Sequence, residues 1–218
     1  MRSLQFFLAG ILVATAITRA AEQRFVSCRL LNFQRDGGGV SEVFVLSAGG
    51  EVLKCDVPRD TLSKPVQLPV VGKALVFRSE ADGPPVSSPK VSENLRDALV
   101  LFLPPEKPDA GFRAVVIDGS EKSFPESGSL VLNLYSEEVR FVLGEHKILL
   151  PAGKTATLQR PAERDNFNMA AVMFQFRSKT GWRSAYETKS RFPEGQRHLY
   201  VSYVDPKGNR PRIRAYRD

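Results

Sequence analysis

Phe44-Val45-Leu46 and Phe141-Val142-Leu143 are the same three residues, set about 100 positions apart in a chain of 218 residues. Leu31-Asn32-Phe33 returns at a similar distance as Leu132-Asn133-Leu134. Two further pairs follow in the same order, Phe77-Arg78-Ser79 with Phe176-Arg177-Ser178 and Leu99-Val100-Leu101-Phe102 with His198-Leu199-Tyr200-Val201. Chance matches would not keep both order and spacing, so the sequence predicts an internal repeat of about 100 residues.

Each copy consists of short apolar segments that are rich in Val, Leu, Phe and Tyr and bounded by Gly, Pro, Asp or Ser. This pattern is typical of β-strands. In Val139–Leu143, Val139, Phe141 and Leu143 are expected on one face and Arg140 and Val142 on the other, as in a half-buried strand. Seven or so strands per copy predict an all-β protein of two tandem Ig-like β-sandwich domains. The structural alternative is a single barrel that spans both copies.

The repeat also predicts the division of the chain. Residues 1–20 carry Arg2, an apolar run and small residues before a cut after Ala20, which indicates a cleaved signal peptide. The first sandwich is expected at 21–118, a linker at 119–128 and the second sandwich at 129–218. The mature protein should be exported to the periplasm or beyond, with no transmembrane segment. An uncleaved N-terminal anchor is the alternative.

The charge balance is mildly basic, with 31 Lys and Arg against 24 Asp and Glu and a formal net charge of +7. Because the excess is spread along the chain, a solvated surface is its simplest explanation. It also permits an anionic partner. An export signal argues against nucleic acid, so an envelope protein or an anionic or glycan polymer is the expected partner.

Both cysteines, Cys28 and Cys55, lie in the first copy. In an oxidising compartment, an even number of cysteines in one small domain predicts a disulfide. Two free thiols on separate strands are the alternative.

Enzyme signatures are mostly absent from the sequence. The chain has only two histidines, His146 and His198, and no serine stands in a nucleophile-elbow pattern. The carboxylates beside turns are explained by turn chemistry. We therefore expect a non-enzymatic protein with no catalytic residues, no cofactor and no metal, with an exported hydrolase as the most distant alternative.

Trp182 is the only tryptophan, and Tyr186 follows four residues later. Residues at even spacing on a strand share a face, so the two rings are expected on the same side. If exposed, they would form a platform for stacking on sugars or peptides. If buried, they belong to the sandwich core, where large aromatic residues usually pack.

The segment 210–217 places Arg210, Arg212 and Arg214 at alternate positions. Three arginines on one face of a strand could meet an anionic polymer or an acidic partner surface. The simpler interpretation is an edge strand that is protected from aggregation by its charge and by Pro211.

The stretch from Val139 to Gln159 comprises a strand, a tight turn, a second strand, Pro151-Ala152-Gly153 and a third strand. It resembles the sandwich domains of uncharacterised exported bacterial proteins. The two-sandwich layout is similar in outline to two-domain periplasmic pilus-assembly chaperones, a likeness of architecture only. The expected function is non-enzymatic binding or structural work in the bacterial cell envelope. The alternative is a carbohydrate-recognition module that uses Trp182 and Tyr186.

Overall fold

The structure is a computed structural model that describes residues 23–33, 39–105, 110–205 and 208–218. Within these ranges the chain forms sixteen strands. In chain order, β1 to β16 are Phe25–Asn32, Glu42–Leu46, Val52–Asp56, Val66–Pro69, Phe77–Arg78, Pro85–Ser87, Asp97–Leu103, Arg113–Asp118, Ser129–Asn133, Val139–Leu143, His146–Leu150, Thr155–Leu158, Met169–Ser178, Gly181–Arg191, His198–Asp205 and Arg210–Arg217. The signal peptide predicted at 1–20 lies outside the described residues.

The strands form four sheets of four strands each. The first copy supplies the sheets β4-β1-β7-β8 and β3-β2-β5-β6, and the second supplies β12-β9-β15-β16 and β11-β10-β13-β14. Adding eight to each strand number of the first pair of sheets gives the second pair. The parallel pairing of β1 with β7 likewise returns as that of β9 with β15. The prediction of two tandem β-sandwiches related by an internal repeat is confirmed.

The repeated triplets lie in equivalent strands, β2 and β10, but they are offset by one position. In β2 Val45 is buried and Phe44 is only partly buried, whereas in β10 Phe141 is fully buried. Because side chains alternate along a strand, a shift of one residue exchanges the two faces of the sheet. Phe44 is therefore not the structural counterpart of Phe141, because the inward positions of β2 are those of Val43 and Val45.

Each sandwich has its own apolar core between its two sheets. In the first, Phe77 and Phe102 meet edge to face with their ring centroids 5.1 Å apart. In the second, Phe141 packs against Tyr200 at 5.0 Å. Full burial of such side chains contributes roughly 2–3 kcal/mol each before the loss of chain entropy is counted.

A third core joins the two copies. It contains Leu31 and Leu101 from the sheet β4-β1-β7-β8 and Leu132 and Leu199 from the sheet β12-β9-β15-β16. Phe124, from the segment predicted as a linker, is fully buried in the same cluster. The two sandwiches therefore pack back to back through equivalent sheets, and the segment between them is part of the packing.

Charged groups add to this contact between the copies. The buried Asp218 carboxylate is bound by Arg29 of the first copy and by Arg197 of the second, whose Nε donates to Asp218 Oδ2 at 2.9 Å. Charge-assisted bonds of this kind are stronger than neutral ones because the donor is ionised. They fix the end of β16 against β1.

A buried asparagine holds the same place in each copy. Asn133 is completely buried, and its Nδ2 donates to the carbonyl oxygens of Glu137 at 2.8 Å and Leu150 at 2.9 Å. Its Oδ1 accepts from the Tyr135 N–H at 2.9 Å and the Ser202 hydroxyl at 2.7 Å. The buried Asn32 likewise donates to the Val40 carbonyl at 2.8 Å. Both amides donate to backbone carbonyl groups, so these buried side chains have hydrogen-bond partners.

The predicted disulfide is wrong, since Cys28 and Cys55 are buried free thiols. Cys28 lies on β1 and Cys55 on β3, and these strands belong to opposite sheets of the first sandwich. Both side chains pack in its apolar core as small hydrophobic residues. Burial is the main reason that the pKa of Cys28 rises to about 12 and that of Cys55 to about 11.

Candidate binding surface

The two copies differ most in one hairpin. In the second copy β13 and β14 span Met169–Ser178 and Gly181–Arg191, whereas their counterparts in the first copy, Phe77–Arg78 and Pro85–Ser87, are two and three residues long. The first sandwich folds without the longer hairpin, so the extension is not a requirement of the fold. The extended hairpin is therefore a candidate for a specialised surface.

A β-bulge in this hairpin corrects the predicted pairing of the two aromatic rings. Phe174 pairs with Tyr186 and Gln175 pairs with Ser184, which leaves Ala185 as the extra residue. An extra residue reverses the alternation of side chains beyond it. Tyr186 therefore faces the core, against which it packs, while Trp182 lies on the outer face of the sheet. The two residues do not form one platform.

Trp182 is partly exposed and is contacted by two arginines. The Cζ atom of Arg140 is 4.4 Å from the indole ring centroid, and that of Arg177, its direct cross-strand partner, is 5.7 Å away. A cation this close to an aromatic face is attracted by the ring quadrupole, an effect worth about 0.5–1 kcal/mol at an exposed site. The indole thus holds both guanidinium groups over the outer face of the sheet.

Hydrogen bonds across the sheet orient the same group. Arg140 Nη1 donates to Gln175 Oε1 at 3.3 Å, and Gln175 Nε2 donates to Ser184 Oγ at 3.3 Å. Residues 140, 175 and 184 are direct neighbours on three consecutive strands. Sequence reasoning missed Arg140 and Arg177, although the turn at 179–180 places Arg177 opposite Trp182 in a tight hairpin.

Further cations lie on this face. Lys147 of β11 and Lys189 of β14 are exposed there, and Glu187 is the acid that lies among them. Lys189 already pairs with Asp165 at 3.4 Å. We call the surface formed by Arg140, Lys147, Arg177 and Trp182 the basic face.

The predicted arginine strand, β16, is an edge strand of its sheet, but its three arginines differ in environment. Arg210 and Arg212 are exposed, and Arg212 Nε lies 4.0 Å from Asp205 Oδ2. Arg214 instead points toward the first copy, where its Nη1 donates to the Phe33 carbonyl at 2.8 Å. Its Cζ atom lies 5.1 Å from the Phe33 ring centroid and 5.2 Å from that of Tyr203. Arg214 therefore belongs to the contact between the copies and is not available to a partner.

We expect Arg214→Ser to lower the free energy of unfolding by about 2 kcal/mol, because it removes two cation–π contacts and leaves a backbone carbonyl without its donor. The double variant Arg210→Ser, Arg212→Ser should change it by less than about 0.5 kcal/mol, since exposed charges contribute little. Urea denaturation followed by circular dichroism measures both. Equal losses in the two variants would contradict this division of roles.

Neither histidine forms the serine, histidine and carboxylate arrangement of a hydrolase. His146 Nε2 lies 3.3 Å from the carboxylate of Glu145, which accepts the Ala162 N–H at 2.7 Å and so joins two loop segments. That backbone hydrogen bond is the main reason that the pKa of Glu145 lies below its usual value. His198 is buried opposite Ser129, and within the described residues neither its ring nitrogens nor the serine hydroxyl has a hydrogen-bond partner.

The described part of the chain contains no helix with the length and apolar character to cross a bilayer. No cluster of three or more His, Cys, Asp or Glu side chains within it is arranged to hold a metal ion.

A scan against protein-family models found no match, and a search of curated protein sequences found none.

Proposed function

We propose that this protein is a non-enzymatic binding protein of the cell envelope, and that its basic face holds an anionic polysaccharide. The observation that carries the proposal is the pair of arginines that contact the one Trp182 ring. Two guanidinium groups that share one ring repel each other, and a carboxylate or sulfate between them relieves that repulsion while accepting paired hydrogen bonds.

The shape of the surface supports a polymer over a small molecule. The basic face is the outer side of the four-stranded sheet β11-β10-β13-β14, which offers neighbouring strands about 4.8 Å apart instead of a closed cavity. An extended chain with repeated charges can lie across several strands at once. The N-terminal sequence, typical of an exported protein, would place it where such polymers occur.

The same geometry disfavours a neutral sugar. A sugar stacks on the open face of an aromatic ring, but the Trp182 ring already carries the Arg140 guanidinium at 4.4 Å. Tyr186, the other member of the predicted platform, faces the core. A neutral glycan would have to displace Arg140 without replacing its electrostatic contact.

The test is the affinity of the full mature chain for polygalacturonate, measured by isothermal titration calorimetry at low salt. We expect Arg140→Gln, Arg177→Gln to weaken binding about 30-fold, through the loss of two charge-assisted contacts worth about 1 kcal/mol each. The matched control Lys90→Gln, Lys122→Gln removes the same charge from exposed positions elsewhere. It should change binding less than about threefold, because distant charges are screened.

Equal weakening by the two double variants would show attraction to net charge alone and would contradict a site at Trp182. Neutral dextran serves as the second ligand, and binding of dextran equal to that of polygalacturonate would favour carbohydrate recognition without charge. Binding of polyglutamate in preference to polygalacturonate would identify an acidic protein as the better partner class.

A further inference from the structure

Among the described residues, strand β3, Val52–Asp56, is a free edge of the first sandwich. It is the end strand of the sheet β3-β2-β5-β6. The N–H of Val57 donates to the Ser41 carbonyl and that of Ser47 to the Glu51 carbonyl, so the odd-numbered residues of β3 bond to β2. In an antiparallel pair the alternate residues point their backbone groups away from the neighbouring strand. The backbone N–H and C=O groups of Val52, Lys54 and Asp56 therefore point outward.

Two carboxylates and one lysine lie close together at this edge. Glu42 and Asp56 are directly opposite each other on β2 and β3, and like charges in that position destabilise a sheet. Lys54 Nζ pairs with Glu42 at 2.7 Å. Among the described residues no cation lies within ion-pairing distance of Asp56. The edge thus holds one more carboxylate than its lysine can neutralise.

Beside β3 the sandwich is open. A groove of about 550 Å³ separates β3 from β4, the edge strand of the facing sheet, and its lining includes Leu30, Cys55 and Val66. The loop between these strands covers residues 57–65. In the second copy the equivalent loop covers only 151–154, and the equivalent strands β11 and β12 contact each other. The first copy therefore has a groove beside its edge strand, at a place where the equivalent strands of the second copy contact each other.

We infer that β3 pairs antiparallel with β3 of a second copy of this chain, which makes a two-fold symmetric dimer with a continuous eight-stranded sheet. The pairing satisfies the outward backbone groups of both strands. Its register places Lys54 of each copy opposite Asp56 of the other, so that each unpaired carboxylate gains a cation. Inward-facing side chains of the second strand, such as Leu53, extend over the open groove.

The pairing of opposite charges favours this register over the two registers that are shifted in either direction. A shift in one direction sets Lys54 against Lys54, and a shift in the other sets Asp56 against Asp56. Only the register between them gives opposite charges at both positions. An isologous contact needs a self-complementary surface. The charges of Lys54-Cys55-Asp56 are complementary to those of the same segment running in the opposite direction.

The test is sedimentation of the full mature chain over a range of concentrations. We expect a monomer–dimer equilibrium with a dissociation constant on the order of 10 µM, as suits a small interface. Asp56→Lys should weaken association about 100-fold, because both charge pairs become repulsive. It should leave folding intact, since it also removes the repulsion between Glu42 and Asp56.

Exchanging the two charges supplies the decisive comparison. The double variant Lys54→Asp, Asp56→Lys restores opposite charges in the same register and should recover the dimer to within about fivefold of the original affinity. The matched control Asp82→Lys makes the same charge change on an exposed loop of the first copy and should leave association unaltered. Failure of the exchange to recover the dimer would overturn the register.

Amide hydrogen exchange locates the contact independently of mutation. The amides of Lys54 and Asp56, free in the monomer, should exchange about tenfold more slowly at concentrations that favour the dimer. Those of Leu53 and Cys55, which bond to β2, should be protected at every concentration. A chain that stays monomeric at about 200 µM, or a dimer that leaves the Lys54 amide unprotected, would overturn the proposal.

Discussion

Replacing Asn133 by alanine is expected to lower the free energy of unfolding by about 4 kcal/mol, a large share of the stability of a typical protein. The side chain is fully buried and makes four hydrogen bonds, two as donor and two as acceptor. Its removal leaves the carbonyls of Glu137 and Leu150 without these donors, and each such loss costs about 1–3 kcal/mol. Urea denaturation followed by circular dichroism measures the change.

Asn166→Ala provides the control, since Asn166 is an exposed residue of the same copy and its loss should be worth less than about 0.5 kcal/mol. Asn133→Asp keeps the two acceptor bonds but puts a carboxylate where two donors stood, so it should also be strongly destabilising. A loss below about 1 kcal/mol for Asn133→Ala would show that the turn after β9 holds its shape without the amide.

Acid should destabilise the second sandwich through His198. Burial, with a smaller contribution from the nearby Arg217, lowers the pKa of His198 to about 4, and an interaction with the backbone of Arg191 offsets this only in part. In the unfolded chain the pKa is near 6.5. Between these values the unfolded state binds a proton that the folded state does not. Stability therefore decreases as the pH falls from about 6.5 to 4, by about 3 kcal/mol in total.

The measurement is the free energy of unfolding at several pH values, compared between the natural chain and His198→Leu. As the pH falls from about 6.5 to 4, the free energy of unfolding of the natural chain should decrease by about 3 kcal/mol relative to that of His198→Leu, because leucine does not titrate. His146→Gln serves as the control, since His146 begins β11 and its side chain is partly exposed. Parallel pH profiles for the natural chain and His198→Leu would show that the imidazole is protonated in the folded state.

Most strands could be predicted from the sequence because each strand has its own short pattern of apolar and turn residues. The alternation in Val139–Leu143 predicted buried side chains at residues 139, 141 and 143, and the structure has them. The strand Pro85–Ser87 was not predicted because it begins at the pair Pro84-Pro85, and proline argues against a strand. It is a short edge strand, a position that tolerates proline.

The parts of the candidate site that escaped prediction depend on contacts between distant segments. The bulge at Ala185, which separates Trp182 from Tyr186, is visible only once the register of β13 and β14 is known. Arg214 looked like a surface charge, but aromatic rings from both copies surround it. Export favours disulfides in general, yet whether Cys28 meets Cys55 depends on how two sheets face each other.

The packing of the two copies also has a consequence for how the duplication is built. The inner sheets β4-β1-β7-β8 and β12-β9-β15-β16 are each covered on both faces, which is why Ala98–Leu103 is an unbroken apolar and buried run. The two equivalent inner sheets face each other, as the same surface of two identical subunits does in a symmetric dimer. One polypeptide thus encloses what would be the interface of a homodimer of single sandwiches, and neither half retains a solvated inner sheet of its own.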